Sequence, residues 1–479
     1  MTATTAAEAR RVLVVAALGT LLVLVAFTLP LSTLNATADA LHADLAGRTW
    51  ILSSMSIGLA AALLSAGTLA DDIGRRRTLA VGLVVMAVGS VIGVLVGDVT
   101  VFVLSRIVVG IGGAAVVASS LGMIAHAFAP GPTRAAASGV WGAGVGAGIA
   151  LGPILSALLE RVHSWHDAYW VLAAASVVLA LVAERCVPDS RSDSPRGLDV
   201  AGAMTFAVAV AALLAALVEG RQGWTQPVVA VLAGVAVLMT CLFVVVERRS
   251  AAPMIDLALL RSPAFAAATL AAVSVGAGAV ASMSYLPGFV ASALDIDALG
   301  SATLLLAWSA TSVLTALLAR RIPPHVEGRT QLAVGLVGIG LGLAALTGLD
   351  TGSGWARLLP GLLVAGIATG VVNAALGREA VASVPAGRGA LGSGANNTAR
   401  YVGSAVGVTV VAVVATRPGP GAVRDALVEG WNVAAAVTAG VSIAGGLGVA
   451  ALHAKSRSTI RASSSAVDDR PGRPSGSWS

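Results

Sequence analysis

Residues 67–82 read GTLADDIGRRRTLAVG. Asp71, Asp72, Arg75, Arg76 and Arg77 crowd into this stretch, although only 11% of the 479-residue chain is charged. Apolar runs flank it on both sides, each long enough to cross a hydrocarbon layer of about 30 Å. A charged piece too short to be a domain, set between two such runs, reads as the loop joining two membrane helices. The chain is 57% hydrophobic with a mean hydropathy of +0.88, far outside the usage of soluble domains. The first apolar run has no small-residue cleavage site and a second span follows closely, so it reads as an anchor and not as a removed leader.

Loops and Gly/Pro/charge clusters divide the sequence into fourteen expected spans, at 12–34, 49–70, 78–97, 100–128, 135–158, 167–186, 199–218, 226–247, 265–291, 299–319, 331–349, 356–377, 390–416 and 428–452. With the N-terminus inside, 22 of the Lys and Arg residues fall in cytoplasmic segments and 6 outside, while Arg106 and Arg400 fall within spans. This bias places both termini in the cytoplasm. It also accounts for the net charge of +6 without nucleic acid. Cys186 and Cys241 lie near helix ends without metal-ligand spacing, so neither a disulfide framework nor a metal site is indicated. The Ser/Arg/Pro-rich segment 453–479 reads as a disordered tail.

The opening loop has an echo. RTLAVGLV at 77–84 and RTQLAVGLV at 329–337 each follow a basic loop and start a helix. Internal repeats of this kind are typical of secondary transporters, which bind substrate between two moving halves. The expected organisation is a six-helix bundle at 1–186, an inserted helix pair with linkers at 187–264, and a second six-helix bundle at 265–452. The fold class is an all-α polytopic membrane protein.

Four motifs carry a family resemblance. The first is the opening loop, with Gly67, Leu69, Asp71, Gly74, Arg75 and Arg76 at the spacing G-x-L-a-D-r-x-G-r-r; Asp72 stands where a basic residue is common. The second is the fifth span, where Gly139, Gly148, Gly152 and Pro153 fit G-x8-G-x3-G-P and Gly144, Gly148 and Gly152 form a small-residue ridge. The third is RIVVGIGGAA, beginning at Arg106, which lies about 9 Å inside the outer face and is expected to face the bundle interior or water, with snorkelling to the outer interface as the competing reading. The fourth is GSGANNTARYVGSAVGV at 392–408, supported by RGLDVAGA at 196–203. Together they resemble the major facilitator superfamily, specifically its fourteen-span drug:proton antiporter branch, over nearly the full length.

The resemblance implies a major facilitator fold of two six-helix bundles plus two inserted helices. It implies proton-coupled efflux of hydrophobic small molecules across the cytoplasmic membrane by alternating access, with no cofactor and no enzymatic activity. Partners are then substrate, protons and lipid, and the protein is taken as a monomer. Residues 67–76 would form a latch that locks the outward-facing state, and Arg106 would take part in proton coupling.

One feature of the branch is missing. The first-span aspartate that commonly carries the proton has no counterpart, since Pro30 takes its place when Asn35 is matched to the motif's asparagine. None of the 24 acids lies in the middle of an apolar run. Asp39 is the remaining proton-site candidate, with Arg106 as electrostatic partner; capping of an exposed helix end is the competing reading. His126 is a second candidate, outweighed by a packing role. An importer or uniporter without proton antiport is the alternative function. The deep charges are both cationic, which favours neutral or anionic amphiphiles. Asn35, Trp141, Tyr285, Trp308, Asn397 and Arg400 are the expected cavity residues.

Overall fold

The computed structural model describes residues 5–193, 197, 199–250, 253–254, 257–323, 325–415 and 423–468. Arg196 and Leu198 of the lead into the inserted pair therefore lie outside the described residues, as does 469–479. Helices α1 (Ala6–Thr28) and α2 (Pro30–Ala40) form the first span. They are followed by α3 (Leu45–Ile73), α4 (Arg75–Leu95), α5 (Val99–Ala127), α6 (Pro132–Val162), α7 (His166–Cys186), α8 (Val200–Gly220) and α9 (Pro227–Arg249). A π-turn at Gly276–Val280 joins α10 (Pro263–Val275) to α11 (Ala281–Ala293) in one span. The chain continues with α12 (Ala298–Leu318), α13 (Gly328–Ala344), α14 (Trp355–Ala382), α15 (Gly389–Ala415) and α16 (Val423–Asp468). Among the described residues, 13 helical stretches are long and apolar enough to span a membrane, and the 17-residue α13 is a shorter fourteenth. An even number of spans brings both chain ends to one face, here called the terminal face.

The helix starts explain where the sparse acids went. Asp44, Asp98, Asp199 and Asp297 each cap an N-terminus, accepting a backbone N–H three residues on at 2.7, 3.0, 2.7 and 2.8 Å. Pro132, Pro227 and Pro263 open α6, α9 and α10, where a missing N–H costs nothing. Between α3 and α4 the chain turns on one residue. Gly74 has φ +135°, and a Cβ there would come 2.6 Å from an Asp189 carboxylate oxygen.

The last helix, α16, runs on to Asp468, past the expected end of its span at residue 452. This stretch has no Gly or Pro until Pro471, and a helix already nucleated in the span propagates through it.

The two main apolar cores form from helices before residue 218, joined by Tyr401 of α15, and from helices after 266. The α8–α9 pair packs at the edge of the first core through α8. Val210 and Leu214 of α8 join the first core, whereas α9 is largely exposed, as a lipid-facing helix would be.

The glycine motif of α6 joins two surfaces. A Cβ at Gly144, Gly148 or Gly152 would come within 3 Å of the carbonyl oxygens of Ala17, Leu21 and Val25 in turn. The three-glycine ridge of α6 thus lies along a row of α1 with the same four-residue spacing. On another side, a Cβ at Gly139 would meet the Ala316 carbonyl oxygen at 2.6 Å, on α12 of the other core. Pro153 is buried within α6, which continues through it to Val162. The substitution Gly148→Val should force α1 and α6 apart and destabilise the protein by about 1–3 kcal/mol. The check is thermal unfolding in detergent, where Gly234 of α9, with open space around its Cβ position, should show a smaller effect when changed to Val.

Candidate translocation route and its charged seal

At the terminal face the two halves are sealed around Asp71, which is fully buried. Arg75 Nε and Nη2 donate to Asp71 Oδ1 at 2.9 and 2.6 Å, and Arg75 Nη2 also donates to the Gly387 carbonyl at 2.7 Å. The backbone N–H groups of Ala390 and Leu391 donate to Asp71 Oδ1 and Oδ2 at 3.3 and 2.9 Å. These belong to the first turn of α15, so the carboxylate sits at the positive end of that helix. One side chain thereby ties its own loop to the opposite half. Gly67 permits this approach, because a Cβ there would lie 2.5 Å from the Ala390 carbonyl oxygen.

Asp72, the departure from the usual pattern, has its own partner across the halves. Arg388 Nη1 donates to Asp72 Oδ1 at 2.7 Å, and both side chains are 7% exposed. Arg76 and Arg77 act within the first half. Arg76 donates to the Glu184 and Val187 carbonyls, and Arg77 pairs with Asp189 at 3.6 Å.

On the far face a cavity of about 560 Å³ opens between the halves. Its walls come from the ends of the first span, α3, α8, α11 and α15, and include Phe27, Ser53, Tyr285 and Ser404. Its charged lining residues are Arg48 and Arg221, with no acid among them. A smaller cavity of about 40 Å³ lies deeper, lined by Asn373, Arg400 and Tyr401. Phe27 and Tyr401 meet edge to face at 5.9 Å between the two. The Arg400 guanidinium lies 5.5 Å from the Tyr401 ring centre. Ala279 and Val280 of the π-turn also line the deeper cavity, and such turns recur at functional sites.

Of the expected cavity residues, the structure places Tyr285 in the outer cavity and Arg400 in the deeper one. The other four lie elsewhere. Asn35 is exposed and accepts from Arg48 Nη1 at 2.8 Å. Trp141 is buried and donates to Ser120 Oγ at 2.9 Å. Trp308 is buried and donates to Thr369 Oγ1 at 3.2 Å. Asn397 turns back to the Ser393 carbonyl at 3.0 Å.

The expected Asp39–Arg106 pair is corrected. Asp39 is 72% exposed and accepts from Arg48 at 2.7 Å. Arg106 is 1% exposed and its Nη1 donates to the Ala26 carbonyl at 2.7 Å. The reason lies in α1. In a regular helix the N–H of residue 30 would bond to the carbonyl of residue 26, but Pro30 has no N–H. The proline that stands in the acid's place therefore frees a backbone acceptor, and Arg106 takes it. Among the described residues, Arg106 Nε and Nη2 and the hydroxyl of Tyr169 find no hydrogen-bond partner. The Arg106 guanidinium lies 5.9 Å from the Tyr169 ring centre. Sequence reasoning missed this link, although a proline beside a buried arginine was the available signal. It also missed Arg221, which read only as a loop charge outside the membrane.

A family model described as Major Facilitator Superfamily matches residues 16–408. The chain is 30% identical over 369 residues to the multidrug resistance protein Stp of Mycobacterium tuberculosis, covering 77% of this chain and 68% of that protein. It is 28% identical over 409 residues to the puromycin resistance protein pur8 of Streptomyces alboniger, covering 82% and 81%. Its fold is similar to that of the proton:xylose symporter XylE, with a TM-score of 0.66, 14% identity, and coverage of 92% and 94%.

Proposed function

Because this chain belongs to the Major Facilitator Superfamily, a family of membrane transporters, we propose that it exports hydrophobic small molecules, drugs or antibiotics among them, by alternating access. The observation that carries the reading is the pairing of a far-face cavity with a seal of Asp71, Arg75, Asp72 and Arg388 at the terminal face. That is the geometry of one end of a transport cycle. The names of relatives that span most of the chain, multidrug resistance protein and puromycin resistance protein, support the efflux direction.

The Lys/Arg bias supports a cytoplasmic terminal face, and the bacterial resistance-protein relatives support the cytoplasmic membrane as its location. The state described is then outward-facing, and residues 67–76 are its latch. We read the protein as a monomeric transporter with no enzymatic activity. Export is driven by the proton gradient, with Arg106 as the coupling residue of the first half. Everted vesicles test this. Energised vesicles should accumulate a hydrophobic antibiotic such as puromycin, and a protonophore should abolish the accumulation. Absence of protein-dependent accumulation across a broad panel would overturn the export reading.

One observation favours a second reading, facilitated transport without proton antiport. Among the described residues no acid lines either cavity, and Asp39, the sequence candidate, is held by Arg48 at the rim. Substrate-driven proton flux, followed with a pH-sensitive dye, separates the two.

A further inference from the structure

We propose that Arg221, supplied by the inserted helix pair, is a specificity residue of the outer cavity, and that the substrate it selects is an amphiphile bearing a carboxylate or comparable anion. The proposal rests on the export reading above and names its substrate class.

Arg221 follows the last residue of α8, and its side chain lines the cavity. It reaches both halves. Its Nε donates to Thr409 Oγ1 on α15 at 3.2 Å, and its Nη1 donates to Ser53 Oγ on α3 at 3.3 Å. These partners are neutral hydroxyls at long hydrogen-bond distance, and among the described residues no carboxylate pairs with it. Glu219, the nearest acid in sequence, instead accepts from Trp50 Nε1 at 2.6 Å. Burial lowers the pKa of Arg221 to about 10, so it remains protonated at neutral pH.

The cavity's other cation is different. Arg48 is already bonded to Asp39 and Asn35. The cavity therefore presents one uncompensated guanidinium against a lining that is otherwise largely apolar, with Phe27, Leu52, Leu214, Tyr285 and Val408. A partly desolvated cation without a counter-ion favours an anion and disfavours a cation. A guanidinium also offers a planar fork matched to a carboxylate. The weak bonds to Ser53 and Thr409 can be exchanged for stronger charge-assisted ones when the ligand enters. Because α3 and α15 belong to different halves, a ligand on Arg221 would touch the surfaces that separate in the cycle. The inserted pair would thus contribute to recognition, which its peripheral position does not suggest.

The test uses the purified full-length protein in detergent and three matched probes: 1-pyrenebutyrate, its amide and 1-pyrenebutylamine. Affinities are read from ligand-dependent thermal shifts. The acid should bind about tenfold or more tightly than the amide, as expected for a hydrogen bond to a charged group, and the amine should bind weakest. Arg221→Gln should bring the acid-to-amide ratio close to one, and Arg221→Lys should keep a preference for the acid. A purely structural clamp would weaken all three probes together and leave the ratio unchanged, which overturns the inference. Equal binding of the three probes to the unaltered protein overturns it too, while export in vesicles stands. If phosphatidylglycerol binds in an Arg221-dependent way and the acid does not, the residue is a lipid site and the substrate assignment is lost. If no probe binds and no panel compound is exported, both readings fall together.

Discussion

Replacing Asp71 by Asn should open the terminal face. The side chain keeps its size but loses the charge that Arg75 faces at 2.6 Å, and both residues are almost fully buried. Removing one partner of such a pair costs about 3–5 kcal/mol, because the other charge is left uncompensated. The amide also turns a donor towards Arg75 or towards the N–H groups of Ala390 and Leu391, so one acceptor position is lost. The loss falls on the state in which the seal is closed, since Ala390 and Leu391 belong to the opposite half. With about 1.4 kcal/mol per factor of ten, the equilibrium should shift by two orders of magnitude or more towards the open terminal face. A single cysteine placed by Ser393→Cys reports this, because Ser393 is fully buried behind the seal. The exposed native thiols Cys186 and Cys241 are first changed to Ser. In everted vesicles, Asp71→Asn should raise labelling of residue 393 by a membrane-impermeant maleimide at least about tenfold. The double variant Asp71→Asn with Arg75→Gln should be less perturbed than the two single effects combined, since no buried charge remains. Unchanged labelling in Asp71→Asn would falsify the latch. Asp72 and Arg388 should behave as a weaker second pair, and exchanging the two charges should restore closure.

Arg106→Met should separate function from stability. Arg106 is buried with one hydrogen bond, to the Ala26 carbonyl. A buried cation so sparsely satisfied is costly in a fold, and replacement by an apolar side chain of similar length removes that cost. The unfolding temperature should hold or rise. Turnover in energised vesicles should fall by about a hundredfold or more, the scale of losing a charge-specific step of about 3 kcal/mol. If Arg106 instead only pins α5 to α1, stability and transport should fall in parallel. Pro30→Ala is the complementary variant. It restores the N–H that can bond to Ala26, competes with Arg106 for that carbonyl, and should alter transport with Arg106 still present.

Both predictions rest on motifs visible in the sequence, yet the contacts they invoke were not. The 67–76 spacing identified a tight charged loop, and the tertiary structure supplied Ala390, Leu391, Gly387 and Arg388, more than 300 residues away. Pro30 was recognisable as the residue in the acid's place. Its consequence, a freed carbonyl that an arginine of another helix occupies, needed the packing of α5 against α1. Arg221 was counted as a loop charge because its position along the span axis is all that hydropathy reports.

The sequence by itself determined what depends on position along the membrane normal. Apolar runs of spanning length, their Gly, Pro and Asp boundaries, and the Lys/Arg asymmetry are local properties, and they set span number, loop positions and family. Rotation of each helix about its own axis was decided only by tertiary structure. In a soluble helix the buried face is the apolar one, but lipid is as apolar as a protein core, so a membrane helix shows no clear stripe to read. Trp141, Trp308 and Asn397 were therefore as plausible in the cavity as Tyr285 and Arg400, until packing turned the first three into the core and the last two towards the route. Electrostatics has the same limit. A sparse charge near a span end can cap a helix, line a cavity or bridge two halves, and only the neighbours that folding brings to it select among these.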